Sequence, residues 1–308
     1  TMRGLIGRPG FFVKKYHLNG YGDYDFTEYR WQRGFFHGFG YGYVRTGDSC
    51  TLVGSLCEDT GYTVLYADLS RGRLEARKDC AGRVLTGRWD ALDLIVLTGE
   101  KQAVLGRYFD LLGVPAPKGG PVSGYTSWYR HEQAISEQTI LQDLKNAEGG
   151  IFQIDDGYEP FVGDWLAPDP QKFPNGLGPV AAAIRAKGMT PGIWLAPFAC
   201  EQKSAVWREH PDWLVRDESG GVVPCGCNWS GFGALDISRR EVREYLKAAF
   251  SGLKELGFGF FKLDFLYAAC IRPRPDRTRG EIMFDAIRLL RECVGDCPIL
   301  ACGTPLFP

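Results

Sequence analysis

Lys262-Leu263-Asp264 stands inside FGFFKLDF, an otherwise apolar run, and a spacing of two puts both charged side chains on one face of a strand. Burying either alone would be costly, so the sequence reads as a Lys–Asp pair that keeps Asp264 ionised. An ionised carboxylate there suits a nucleophile or a stabiliser of a cationic transition state, and a buried ion pair that fixes packing is the plainer alternative. Asp155-Asp156-Gly157-Tyr158 ends a second apolar run. Adjacent carboxylates repel unless donors reach both, and the hydroxyls of a polyol, a divalent metal or a helix start would each supply relief. Trp128 and Trp194 close two further runs and offer flat apolar faces on which a sugar ring can stack, or ordinary core packing.

These residues need elements to hold them. Up to about residue 98 the chain reads as short β-rich runs (alternating Phe39, Tyr41 and Tyr43, then TLVGSLCED, YTVLYADL, GRLEARKD and ALDLIVLTG), the pattern of an antiparallel β-sandwich. A helix is expected over 100–112, stopped by Gly113 and followed by a Pro/Gly-rich segment that marks a domain boundary. This predicts a sandwich domain over 1–116 and a second domain over 121–308.

The second domain alternates apolar strands with amphipathic helices. Strands are expected at 122–128, 150–155, 190–196, 234–237, 258–264 and 298–302. Helices are announced by Ser136, by Ser238 with Glu241 and by Thr278 with Glu281, the last two at capping-box spacing. Val242, Tyr245, Leu246, Ala249, Phe250 and Leu253 line one face of the middle helix. Repeated strand–helix units imply a parallel sheet, and the absence of a glycine-rich phosphate fingerprint after the first strand turns the reading from nucleotide binding toward a (β/α)8 TIM-type barrel. Asp155, Asp156, Trp194, Asp236 and Asp264 all fall at C-terminal strand ends, the face on which barrel enzymes build their sites.

Composition narrows the partners. With 44% hydrophobic residues in 308, a wholly disordered chain is excluded. Lys plus Arg (36) nearly cancels Asp plus Glu (37), which argues against nucleic acid, and no apolar run is long enough for a membrane span. Ten cysteines, several inside apolar runs, read as reduced core thiols of a cytoplasmic protein. Cys225 with Cys227 and Cys293 with Cys297 lack a completing zinc set, so no metal or cofactor is expected. A homo-oligomer is compatible with the sequence.

GYTSWY, FQIDDGY, GIWLAPF, FKLDFLYA and ILACGTPL, in this order, resemble the melibiase-type α-galactosidases of glycoside hydrolase family 36 over residues 121–308. The β-rich segment before them is similar to that family's N-terminal β-supersandwich, and Asn19-Gly20-Tyr21 resembles a motif of it that leans over the active site. The resemblance implies retaining hydrolysis of terminal α-galactosides, with Asp264 as nucleophile and Lys262 beside it as a sugar ligand. It further implies that Asp155 and Asp156 hold the outer hydroxyls, that Trp194 and Trp128 form walls, and that Cys302 lies near the sugar. Leu266 and Ser230 replace an Asn and an Arg common in the family, which leaves an α-N-acetylgalactosaminidase as an alternative, and a raffinose-synthase-like galactosyltransferase is a further one within the same fold. A non-catalytic sugar-binding fragment is the alternative of another class.

The family's acid/base aspartate lies beyond the ACGTPL motif, so the sequence is expected to hold about six barrel strands and to be truncated before the acid/base strand. Residues 121–308 also fall short of the ~200 residues of a small complete barrel. Open edges at the first and sixth strands, and weak or absent activity from these 308 residues alone, are the corresponding expectations. Glu132, Glu159, Glu201 and Asp236 are carboxyls that could substitute as acids, each with a solvated-loop or cap role as the plainer reading.

Overall fold

The computed structural model describes residues 33–114 and 122–304, so Asn19-Gly20-Tyr21 lies outside the described residues. The described residues divide into two compact units, one formed by 33–114 and 272–285 and the other by 122–271 and 286–304.

Unit 1 holds two three-stranded antiparallel sheets. One runs β1 (Phe35–Phe39), β4 (Thr63–Asp68), β5 (Arg73–Lys78); the other runs β2 (Tyr41–Thr46), β3 (Ser49–Ser55), β6 (Leu94–Glu100). Val53 of β3 packs on Phe36, Leu65 and Ala67 of the other sheet, while Cys50 and Leu52 bury against Val104 and Tyr108 of helix α1 (Lys101–Leu111). Glu100 caps α1 by accepting from the amides of Gln102 and Ala103.

Unit 2 is built on a five-stranded parallel sheet. Its order is β14 (Ile299–Ala301), β13 (Phe260–Leu263), β9 (Thr190–Leu195), β8 (Ile151–Ile154), β7 (Gly124–Thr126), part of a (β/α)8 barrel with β7 and β14 at the ends. Helices α2 (Glu137–Leu144), α3 (Gly178–Ala186) and α4 (Arg240–Glu255) follow strands as crossovers, as does α5 (Arg279–Val294), which belongs to this unit only from Ala286 onward. Ser136 caps α2 by accepting from the Thr139 amide at 3.2 Å. Thr278 and Glu281 form the reciprocal capping box, with the Thr278 amide donating to Glu281 and the Glu281 amide to Thr278 Oγ1. Val242, Leu246, Ala249, Phe250 and Leu253 are buried on one face of α4, and Phe250 meets Phe261 of β13 edge to face. Tyr245 is only half-buried and spends its hydroxyl on the Gly163 carbonyl.

Two expectations are corrected. The segment 234–237 is not a barrel strand: β13 pairs directly with β9, giving five parallel strands rather than about six. Residues 199–234 instead form a small antiparallel sheet of β10 (Ala199–Glu201), β12 (Phe232–Ala234) and β11 (Pro224–Gly226). The backbone of 234–236 is held by Val215, Phe198 and Trp213, so its hydrogen-bonding groups are taken before β9 could use them. A short buried apolar run looks alike in either setting. Ser238, in turn, is not the cap of α4: its hydroxyl donates to Asp236 at 2.6 Å in a local turn, and the helix begins at Arg240 behind Arg239 without a side-chain cap.

Candidate active site

The C-terminal ends of β7, β8, β9 and β13, with the 225–230 loop, surround a cavity of about 300 Å³ lined by eleven residues. Asp155, Asp156, Trp194, Lys262, Asp264 and Trp128 line it, joined by Glu132, Gln133, Asn228, Trp229 and Phe265. The paired aspartates come off β8 on a turn that needs Gly157. Its φ is +111°, and a Cβ there would lie 2.6 Å from the Gln133 carbonyl, so glycine lets the 128–133 turn close on the site.

Lys262 and Asp264 do not pair with each other. Lys262 Nζ donates to Asp155 Oδ2 at 2.8 Å, and that oxygen also accepts from Gln153 Nε2 (2.7 Å) and Thr126 Oγ1 (3.2 Å). Asp155 was reachable from Lys262 because β13 and β8 both flank β9 and present their C-terminal ends side by side. Burial opposes the Lys262 ammonium, but the hydrogen bond and charge of Asp155, with the charge of Asp264, hold its pKa above the ordinary value. Asp264 takes its donors elsewhere. Its Oδ1 accepts from the Phe265 amide at 2.8 Å and its Oδ2 from Trp194 Nε1 at 3.3 Å. Phe265 adopts a left-handed φ of 51°, the strained backbone that aims its amide back at the carboxylate.

Asp156 Oδ2 accepts from Trp229 Nε1 and Gln133 Nε2, both at 2.9 Å. Burial pushes the Asp156 carboxyl upward, the Trp229, Glu159 and Gln133 hydrogen bonds oppose this, and the Asp155 charge adds to it. Trp194 is 2% exposed between Trp165 and Trp229, so it presents mainly its N–H edge to the cavity. Cys302 follows β14 beside the cavity without lining it. Burial and then the Asp264 charge raise its thiol pKa.

Three of the other carboxyls fall in different places. Asp236 does not line the cavity, and its amide and carboxylate are engaged with Trp213 and Ser238. Glu201 is a buried brace: it accepts from the Ser230 amide (3.2 Å) and hydroxyl (2.7 Å) and from the Val162 amide (3.4 Å), pinning the loop that carries Trp229. Glu132 lines the cavity at φ 47°, with its side chain exposed.

Trp229, Gln133, Asn228 and Phe265 were not singled out in the sequence as site residues. The signal for Trp229 was a tryptophan in a cysteine- and glycine-containing loop, but it takes long-range bonds, from Ser230 to Glu201 and from the Tyr267 hydroxyl to the Cys225 carbonyl, to hold that loop at Asp156. No disulfide joins any of the ten cysteines, all of which lie among the described residues.

Residues 137–268 match the family model described as Melibiase. The structure of TtGalA, an α-galactosidase from Thermus thermophilus solved with stachyose, aligns with a TM-score of 0.71 and 31% identity over 88% of this chain and 56% of that one. The α-galactosidase Mel36A of Lactobacillus acidophilus is 32% identical over 114 residues, 35% of this chain and 15% of its own length. A type blood alpha-D-galactosamine galactosaminidase of Flavonifractor plautii is 30% identical over 204 residues, 60% of this chain and 18% of its own. The chain thus spans about half the length of the solved relative and matches under a fifth of these curated ones. With its Melibiase-matching segment over 137–268, its partial barrel and the five motifs ordered along it, the chain is similar to the melibiase-type α-galactosidases.

Proposed function

We propose that the protein hydrolyses terminal α-galactosides with retention, using Asp264 as nucleophile. The observation that carries this reading is the convergence of Asp264, the Asp155–Lys262 pair and Asp156 on one cavity at the C-terminal strand ends. The two N–H donors on Asp264 orient its carboxylate, so that one oxygen can attack the anomeric carbon while the glycosidic C–O bond breaks. Retention then requires a second carboxyl ~5–5.5 Å away, which protonates the departing oxygen and later activates water. On the family pattern that carboxyl is an aspartate following the 301–306 motif. Lys262 donates to the sugar, Asp155 and Asp156 accept from its outer hydroxyls, and Trp128 and Trp229 supply walls. Cys302 serves as a neutral neighbour of the ring.

The test is release of aryl alcohol from an aryl α-galactoside by the intact protein. Asp264→Ala is expected to lower turnover on the order of 10⁴-fold or more, and unchanged turnover would refute the assignment.

A second reading takes an α-galactosaminide as substrate. Four carboxyls against one lysine line the cavity, which favours a cationic amino group, and the galactosaminidase named above matches a longer stretch of this chain than Mel36A does. Comparing aryl α-galactoside with aryl α-galactosaminide separates the two. Faster turnover of the amino sugar would displace the first reading.

A further inference from the structure

Three residues past the paired aspartates, Glu159 is 4% exposed, and neither of its carboxyl oxygens meets a side-chain donor among the described residues, while the backbone amides of Gly157 and of Glu159 itself act on it only to lower its pKa. Asp156 Oδ1 is likewise buried without a donor, although Oδ2 of the same carboxyl has two. The two carboxyls are in hydrogen-bonding contact with each other. Ionised carboxylates only accept, and they repel at such range; their contact becomes attractive when one of them is protonated.

Among the described residues, the nearby cations are already engaged. Asp155, next to Asp156, is already neutralised by Lys262. Lys172 is committed to the Gly157 and Gln133 carbonyls at 2.8 and 3.0 Å. The Tyr158 hydroxyl is buried with no partner among the described residues, and burial, then the charges of Glu159, Tyr245 and Asp156, raise its pKa. Burial, and then the charge of Asp156, lifts Glu159 well above the usual carboxylate range.

We propose that Glu159 is a positioning residue that shares a proton with Asp156 Oδ1, so that the pair carries one negative charge and presents Asp156 to the cavity in a single orientation. The shared proton stands on the geometry of the ligand-free protein. Its consequence for ligand binding rests on the α-galactoside reading. If the proton is lost, two facing carboxylates repel and Asp156 moves off its Trp229 and Gln133 donors, so binding weakens as pH rises through the titration of the pair.

Infrared difference spectroscopy on the ligand-free protein near neutral pH tests the proton directly. A carboxylic-acid C=O band is expected in the wild type, lost at alkaline pH and absent from Glu159→Gln. No such band in the wild type, or its persistence in Glu159→Gln, would overturn the proposal. Should that variant fail to fold, the wild-type band and its alkaline loss decide the matter. Calorimetric galactose titrations from about pH 6 to about pH 9 test the role. Wild-type affinity should fall up to about tenfold per pH unit above the titration of the pair, whereas Glu159→Gln, which keeps a donor but cannot ionise, should stay level. A Glu159→Gln profile that tracks the wild type overturns the positioning role. A wild type that shows the band but binds no galactose refutes the galactoside reading and leaves the proton pair standing.

Discussion

Lys262 Nζ lies 2.8 Å from Asp155 Oδ2, an ion pair that joins the tips of two strands 107 residues apart in the chain. Asp155 is 1% exposed and Lys262 15% at the side chain, so each charge depends on the other. Lys262→Met therefore leaves an uncompensated carboxylate behind and is expected to cost about 3–5 kcal/mol in urea unfolding. Adding Asp155→Asn should recover much of that loss. Additive effects in the double-mutant cycle would show that the pair is not coupled.

Trp229 reaches the site through one hydrogen bond, Nε1 to Asp156 at 2.9 Å. Trp229→Phe keeps most of the wall and removes the donor to a charged acceptor, worth about 1.5–3 kcal/mol. Galactose affinity measured by calorimetry is expected to fall roughly 10- to 100-fold. An affinity within twofold of wild type would mean that Trp229 acts by its ring alone.

Glu201 holds the 225–230 loop by two hydrogen bonds from Ser230 and is itself held by the Val162 amide, while lying outside the lining of the cavity. Glu201→Ala should release that loop. The expected outcome is faster limited proteolysis at 225–231 with weaker galactose binding, and wild-type proteolysis would place the anchor elsewhere.

His37 in β1 is buried beside Tyr66 and Phe39, and burial lowers its pKa from 6.5 to about 4. A folded pKa below the unfolded one means that the unfolded state takes up the proton first. Stability is complete above about pH 6.5 and declines as pH falls toward about 4, by up to roughly 2 kcal/mol at pH 5. Thermal unfolding of His37→Gln compared with wild type across this range checks it: the variant should lose less of its stability on acidification. Parallel acid profiles would assign the loss to other groups.

The strands that present Asp155 and Asp264 were legible because each is a short apolar run ending in an acid, and the helices because their apolar faces and caps repeat at helical spacing. The capping box at Thr278 and Glu281 formed as written in the sequence; the one at Ser238 did not, because Asp236 competes for the same hydroxyl. The segment 234–237 carried the right composition for a barrel strand and became the edge of an excursion, since strand identity depends on which neighbour's backbone arrives first.

Taken alone, the sequence determined the class of each element, the parallel character of the second domain and the acids at its strand ends, all of which follow from local periodicity and turn chemistry. Only the tertiary structure decided the partnerships. Lys262 and Asp264 share a strand face, and two residues of spacing suggested a pair, yet Lys262 goes to Asp155 and Asp264 to Trp194 and the Phe265 amide. Sequence spacing fixes which side of a strand a charge occupies, whereas the counter-charge it meets there is set by strand order, which joins residues far apart in the chain.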